Sequence, residues 1–421
     1  MSDEPDLHLS RPEAHAPGMP LVTVIGDGQL ARMMQQSGIG LGLTVRLLAG
    51  SGGSSAAQAT GDVWLGDYTD ENVVRAVSDG ADAVTFDHEH VPNRFLEDLI
   101  AAGVNVQPRP SALINAQDKL VMRRRLRELG APVPPFAEIL SVADGEGFWD
   151  ATDGAVCLKT RRGGYDGKGV WFPATRRETA SLVAELLDRG VPLMAEKKVR
   201  LVRELSAMVA RTPSGQTESW PVVESVQRDG VCSLAVAPAP VATDGQARVV
   251  AQAHTLARDI AAELGVTGVL AVELFETLDE AGEPEIIVNE LAMRPHNTGH
   301  WTQDGCVTSQ FEQHLRAVLD RPLGSTAMTS TTTVMANILG DPDGDPEMPT
   351  ARRMDEVWRR YPTAKIHLYG KQWRPGRKIG HVNISLPTGT AATPVNVENL
   401  RRDAELAAGF LVTATWKDRG E

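Results

Sequence analysis

The stretch IIVNELAMRPHNTGHW, residues 286–301, decides how the rest of the chain is read. It opens as an apolar strand (Ile286, Ile287, Val288) and turns abruptly polar, with Asn289, Glu290, Arg294, His296, Asn297 and His300 in quick succession. A carboxylate leaving an apolar strand is costly to bury without a cation or strong donors. A second acid, Glu273, lies in a comparable strand, GVLAVELFET (268–277), where period-two alternation puts it on one face with Val269, Ala271 and Phe275. Two acids at the ends of two hydrophobic strands fit a shared divalent cation, and Mg²⁺ takes a few carboxylates plus substrate phosphates. The alternative is that each acid pairs with an arginine in a structural ion pair. The Arg/His/Asn cluster that follows Glu290 favours a site.

The 421 residues are enough for two or three domains, and 42% hydrophobic with 23% charged residues is ordinary for a globular protein. A net charge of −13 disfavours non-specific attraction to nucleic acid or anionic membrane, yet leaves room for a basic pocket around a small anion. Cys157, Cys232 and Cys306 share no CxxC spacing, which indicates neither a zinc site nor a disulfide framework and fits a reducing cytoplasm. No apolar run approaches the roughly 20 residues of a membrane helix. Residues 1–20 are polar and proline-rich, without the apolar core of a signal peptide, and read as a disordered tail.

Along the chain, the strand Leu21–Ile25 leads into Gly26-Asp27-Gly28-Gln29-Leu30-Ala31 and a helix to about Ser37, with Gly38 placed to cap it. Strands at 43–48 and 83–86 follow, alternating with helices, which implies a parallel sheet. The GxGxxA pattern matches a dinucleotide fingerprint, but the acid expected after the second strand is missing from Leu47-Leu48-Ala49-Gly50-Ser51. The better reading is a glycine turn and helix N-terminus that receives some other phosphate. At 85–90, TFDHEH offers Glu89 as a substrate contact, with a metal on His88, Glu89 and His90, disfavoured because adjacent residues rarely converge on one ion, and a solvated acidic loop as the alternatives. DKLVMRRRLREL (118–129) is an amphipathic helix that marks a domain boundary; its arginines read as a solvated face, and Lys119 at its start is the candidate functional residue. VCLKTRRGGYDGKGVW (156–171) places Lys159 on a strand feeding a glycine loop with Lys168, suited to wrapping polyphosphate although no GxxxxGK[ST] is present. An apolar strand entering Glu196-Lys197-Lys198-Val199, with Glu204 beyond, can supply an adenine hinge and a ribose acceptor. Helices are expected over 249–264 and around Phe311, Leu315 and Val318, and a turn-rich connector at 340–350. Lys371, Arg374, Arg377 and Lys378 then gather in an otherwise acidic chain, as recognition of a substrate phosphate requires, or as a solvated turn.

These motifs together resemble the ATP-grasp enzymes, and within them the N5-carboxyaminoimidazole ribonucleotide synthases. The resemblance rests on GDGQLARM (26–33), TFDHEHV (85–91), AQDK (116–119), LKTRRGGYDGKG (158–169), EKKV (196–199), VELF (272–275), NELAMRPHNTGHW (289–301) and YGKQWRPGRKIGH (369–381), and spans residues 21–384. It implies an α/β and α+β ATP-grasp fold with an N-terminal Rossmann-like parallel-sheet domain: 21–118 Rossmann-like, 119–196 a small lid, 197–421 the large and C-terminal part. It implies ATP on Lys119, Lys159, the loop Gly164, Tyr165, Asp166, Gly167, Lys168, Gly169 and Val170, the hinge Glu196, Lys197, Lys198 and Val199, then Glu204, Gln227, Asn289 and Glu290. Glu273 and Glu290 would hold Mg²⁺, as two ions. Gln29, Leu30, Glu89, Arg294, Lys371, Arg377 and Lys378 would face the aminoimidazole ribonucleotide. Arg294, His296, Asn297 and His300 are the implied catalytic set, as ligands of bicarbonate or the intermediate, with no base assigned among them. The implied reaction is bicarbonate attack on ATP to give carboxyphosphate, whose carbon dioxide is trapped by the exocyclic amine. A cytoplasmic homodimer passing product to a mutase completes the expectation. Asp87 stands where the family often has Glu, Val170 where Gln is common, and the Gly/Ser run at 50–55 where an acid is usual. Another ATP-grasp ligase, a catalytically silent nucleotide binder and a dehydrogenase are the competing readings; the His/Asn cluster, the intact acids and the absent ribose acid count against them in turn.

Overall fold

The structure, a computed structural model, describes residues 15–164, 168–228 and 230–417. Leu21–Ile25 (β1), Thr44–Ala49 (β2), Asp62–Leu65 (β3) and Ala83–Phe86 (β4) form a parallel sheet in the order β3-β2-β1-β4. β1 and β4 are almost wholly buried, as strands covered on both faces require. The order reverses at β1, so the loops after β1 and β4 open onto one crevice. β3 has no counterpart in the sequence reading, because DVWL is a short edge strand buried only in its first half. The first helix continues over Gln29–Gly40 rather than ending near Ser37; Gly38 lies inside it against Leu43, and the positive φ that ends the turn belongs to Gly42. Part of the expected disordered tail is placed: His15 Nε2 lies 2.8 Å from Asp62 Oδ2.

Phe136–Ile139 (β5), Val156–Thr160 (β6), Val170–Trp171 (β7) and Leu193–Lys197 (β8) form an antiparallel sheet in the order β5-β8-β6-β7. With the helices Val142–Ala151 and Arg176–Asp188 it encloses its own apolar cluster, which includes Ile139, Leu158, Val183 and Leu193. The third sheet comprises Arg203–Arg211 (β9), Thr217–Ser219 (β10), Val223–Arg228 (β11), Val231–Ala237 (β12), Gly268–Leu278 (β13), Pro284–Ala292 (β14), Thr333–Leu339 (β15), Lys365–Leu368 (β16) and Lys378–Ser385 (β17). Its order is β14-β13-β9-β11-β12-β15-β17-β16, with β10 beside β9. Helix Asp244–Glu263 buries Val249, Ala253, Ala257 and Ile260 in the core it shares with this sheet; it starts before the expected Val249 because Thr243 caps it, accepting from the Gln246 N–H. That core runs without a break from Ile25 and Phe86 through Met122 and Leu126 to Leu270 and Val288. The parallel sheet and the large sheet are therefore packed as one body. All three cysteines are buried thiols. Among the described residues no helix is long and apolar enough to cross a membrane.

Candidate active site

β13 and β14 run in register until Glu273 faces Glu290; the next pair is Leu274 with Val288, so Asn289 is the extra residue of a β-bulge. The bulge is why simple alternation fails here, and bulges re-aim side chains beside active sites. Like charges directly opposed destabilise a sheet unless compensated. Lys119 Nζ donates to Glu290 Oε1 at 2.5 Å, His296 Nε2 lies 3.2 Å from Glu273 Oε1, and Asn289 Nδ2 donates to Glu273 Oε2 at 3.4 Å. Burial would raise the Glu273 carboxyl, but His296, Lys378 and Lys119 bring it below its ordinary value. The direct ion-pair partners are one lysine, Lys119, and one histidine, His296, with Lys378 further off, and neither acid makes a direct ion pair with an arginine among the described residues. Among the described residues no three His, Cys, Asp or Glu side chains gather around a common point. Two carboxylates and an amide oxygen nevertheless fit a hard cation that completes its shell with phosphate oxygens and water, as Mg²⁺ does.

Lys119 opens the helix Lys119–Glu128, capped by Asp118, which accepts from the N–H groups of Leu120 and Val121. Asp118 also grips Arg161 at 2.9 Å and Arg162 at 3.1 Å, and the Lys119 N–H donates to the Arg161 carbonyl at 2.9 Å, so the root of the glycine loop is stitched to this helix. Lys159 Nζ lies 2.7 Å from Glu196 Oε2, and Arg123 Nε donates to Glu196 Oε1 at 2.7 Å. Arg123 corrects the expectation of a solvated arginine face: it is 1% exposed and its Nη2 donates to the Asn289 carbonyl at the bulge. Burial would raise the Glu196 carboxyl; Arg123 and Lys159 overcome it and hold it at about 2. The side chain of Glu196 is thus spent within the protein, as are the hinge amides of Lys197 and Lys198, which donate to the carbonyls of Pro135 and Ala155; Val199 follows. Gly164, Lys168, Gly169 and Val170 frame the glycine loop, whereas the expected contacts Tyr165, Asp166 and Gly167 lie outside the described residues. Glu204 is paired in register with Phe275, two residues beyond Glu273, and burial together with the Glu273 charge raises its carboxyl to about 7 against a hydrogen bond from Gln227.

Opposite, Arg294 Nε donates to Glu89 Oε2 at 2.9 Å, and the Arg294 charge is balanced by Glu89, Asp87 and Glu290. It links the N-terminal crevice to the carboxylate pair. Asp87 is buried and accepts from the Gly28 N–H at 2.6 Å, so that amide of the glycine turn, expected to receive a phosphate, already holds a carboxylate. Burial raises the Asp87 carboxyl to about 7. Lys371 donates to Gln29 Oε1, and burial lowers its ammonium to about 8. Arg377 Nη1 bonds the Gln372 carbonyl at 3.1 Å, and Lys378 opens β17. Leu30 is core. Of the expected catalytic set, His296 reaches the carboxylates. Asn297 instead exchanges two amide hydrogen bonds with Asn337 at 3.0 and 2.7 Å. His300 is fully buried, its Nδ1 accepting from Gln310 Nε2 at 3.0 Å and its ring packed near Phe311 and His381. Burial lowers that imidazole well below its ordinary value, and in this structure it has no exposed surface. Sequence reading missed Arg123, although it lies four residues after Lys119 on the stripe of Met122 and Leu126. Gln310 and Asn337 carried no signal, since only the tertiary fold brings them to this loop.

The ATP-grasp domain profile matches residues 124–311, the ribonucleotide synthetase preATP-grasp domain 19–117, and the phosphoribosylaminoimidazole carboxylase C-terminal domain 333–393. The N5-carboxyaminoimidazole ribonucleotide synthase of Corynebacterium ammoniagenes is 60% identical over 408 residues, covering 97% of this chain and 95% of its own. The chain belongs to the N5-carboxyaminoimidazole ribonucleotide synthase family. The synthase of Mycobacterium tuberculosis (strain H37Rv) is 50% identical over 399 residues, 95% of this chain and 89% of its own. The Aspergillus clavatus synthase complexed with ATP superposes with a TM-score of 0.80 at 31% identity, over 93% of this chain and 98% of that one. Its complex with ADP and 5-aminoimidazole ribonucleotide gives 0.77 at 30% identity, over 93% and 97%. As a member of the N5-carboxyaminoimidazole ribonucleotide synthase family the chain is an ATP-dependent ligase with an ATP-grasp fold, α+β beyond an N-terminal parallel α/β sheet.

Proposed function

We propose that this chain carboxylates the exocyclic amine of 5-aminoimidazole ribonucleotide with ATP and bicarbonate, giving ADP, phosphate and N5-carboxyaminoimidazole ribonucleotide through carboxyphosphate. The observation that carries the residue roles is the opposed pair Glu273 and Glu290 at the Asn289 bulge, ringed by Lys119, His296 and Arg294. Lys119 and Lys159 contact the phosphates under the loop 164–170. The adenine lies at the hinge 196–199, and Glu204 with Gln227 takes the ribose hydroxyls. Glu273 and Glu290, with Asn289 beside them, hold Mg²⁺ as two ions; when bound these neutralise the charge that develops on the transferring phosphoryl group. Phosphoryl transfer demands positioning more than covalent help, and the lid shields carboxyphosphate from water. Arg294 orients the bicarbonate-derived carboxyl between Glu89 and Glu290, and His296 holds Glu273 in place. Lys371, Arg377 and Lys378 bind the ribonucleotide phosphate while Glu89 and Gln29 face its ring. We place the domains at 21–118, 119–196 and 197–421, and the enzyme as a cytoplasmic homodimer whose product goes to a mutase. ADP release with ATP, Mg²⁺ and bicarbonate, with and without the ribonucleotide, tests the reading. Strong stimulation that is lost in Glu290→Gln supports it, and ADP release indifferent to the ribonucleotide overturns the substrate assignment.

A further inference from the structure

The run Gly50-Ser51-Gly52-Gly53-Ser54-Ser55 stands where an acid was expected, so whatever it does is not ribose binding through a carboxylate. In the structure it is tied back to the glycine turn: Asp27 Oδ2 accepts from the Gly50 N–H at 3.0 Å, the Ala56 N–H donates to the Asp27 carbonyl at 3.0 Å, and Arg32 Nη1 donates to the Ser55 carbonyl at 2.8 Å. Its outer face meets a segment more than three hundred residues away in sequence. Ser55, 5% exposed, donates its hydroxyl to the Tyr369 carbonyl at 2.6 Å, and Gln58 Nε2 donates to the Gly370 carbonyl at 2.9 Å. The Tyr369 side chain is sunk into the apolar cluster of the N-terminal sheet, with Val24, Leu47 and Leu315, and its hydroxyl meets His381 Nδ1 at 2.7 Å. Gly370 is held at φ +65, and a Cβ there would collide with the Gln58 amide. The next residue is Lys371, whose ammonium lies 5.6 Å from the centre of the Tyr369 ring and reaches Gln29.

Two consecutive carbonyls gripped by one loop, with the Tyr369 side chain buried ahead of them, leave little freedom to the residue that follows. A long lysine stem otherwise samples many rotamers, and anchoring its root removes part of that freedom before any ligand arrives. We propose that the loop 50–58 is a docking clamp for the segment 369–371, and that Ser55 and Gln58 are positioning residues that set the Lys371 ammonium against Gln29. Its consequence for the ribonucleotide rests on the substrate role given to Lys371 above.

The clamp is tested without any ligand by acetic anhydride labelling of Lys371 across pH, followed by mass spectrometry. In the unaltered enzyme the Lys371 midpoint falls near 8. In Ser55→Ala/Gln58→Ala it moves up by about one pH unit as the ammonium regains solvent. Gln58→Ala alone, which alters an exposed side chain, gives a smaller shift in the same direction and serves if the double variant folds poorly. An unchanged midpoint in folded variants overturns the clamp. The same variants raise KM for the ribonucleotide by about tenfold, because a misplaced binding group loses its geometry, while KM for ATP stays within about twofold. A shifted midpoint with an unchanged ribonucleotide KM keeps the clamp and overturns the substrate role of Lys371.

Discussion

Arg123, Glu196 and Lys159 form a buried triad in which each cation meets one oxygen of a single carboxylate. Removing one partner of such a set strands a charge, which costs about 3–5 kcal/mol. Arg123→Leu should lower unfolding stability by that order in urea titrations, whereas truncating the solvated Arg125 should be nearly neutral. Glu196 is depressed to about 2 from 4.5, so its contribution is full above the unfolded value and is lost as pH falls through 2. Asp87 has the opposite sign. Its folded value of about 7 exceeds the ordinary 3.8, so the folded state holds a proton that the unfolded state has released, and stability declines as pH rises from 3.8 through 7. Asp87→Asn, which keeps an acceptor for the Gly28 N–H, should flatten that decline in denaturation curves taken across this window. A persisting slope would remove Asp87 as its source. Lys119, Glu273 and Glu290 were legible as chemistry because charged residues bordering apolar strands and helix starts are conspicuous. Arg123 was not, because an arginine on an apolar stripe looks like any other until its buried partner is located.

At the scale of elements, the bulge at Asn289 and the described root of the loop between β6 and β7 carry the proposed nucleotide contacts. The bulge lets Asn289 donate to Glu273 while Glu290 meets Lys119. Asn289→Ala should leave the fold intact but reduce the thermal stabilisation by ATP–Mg²⁺; an undiminished shift would show that the amide is idle. Gly169 sits at φ +73, and a Cβ would lie 2.6 Å from Thr160 Oγ1. Gly169→Ala therefore meets left-handed strain of about 1–2 kcal/mol together with a clash at the loop root. KM for ATP should rise more than KM for the ribonucleotide, and equal changes would argue against a loop devoted to ATP. The apolar strands β1, β2, β4, β6, β13 and β14 were readable from alternation and apolar runs, whereas the short edge strand β3 was not. The bulge was not, since an extra residue shows only against a partner strand.

For the molecule as a whole, the parallel sheet and the large sheet share one apolar cluster, while the β5–β8 sheet has its own. A buried staple strengthens the first union: His314, fully buried, accepts from the Val269 N–H at 3.0 Å and meets Thr85 Oγ1 at 2.8 Å, joining β4 to β13. Native-state hydrogen exchange should therefore find β6 and β8 opening at lower free energy than β9 and β13, with ATP–Mg²⁺ narrowing the gap. Simultaneous exchange of the β5–β8 sheet and the large sheet would contradict the separate opening of the proposed lid. The sequence alone determined the strand–helix alternation of the N-terminal part, the two acid-bearing strands, the glycine loop and the run of acids and bases from Asn289 onward, because periodicity and charge are local properties. Only the tertiary structure decided which charges compensate one another. Asn297 meets Asn337, His300 meets Gln310, and Tyr369 is seated in a core built from the N-terminal sheet together with Phe311, Leu315 and Val318. Burial and pairing belong to surfaces brought together from distant segments, and no local pattern records them.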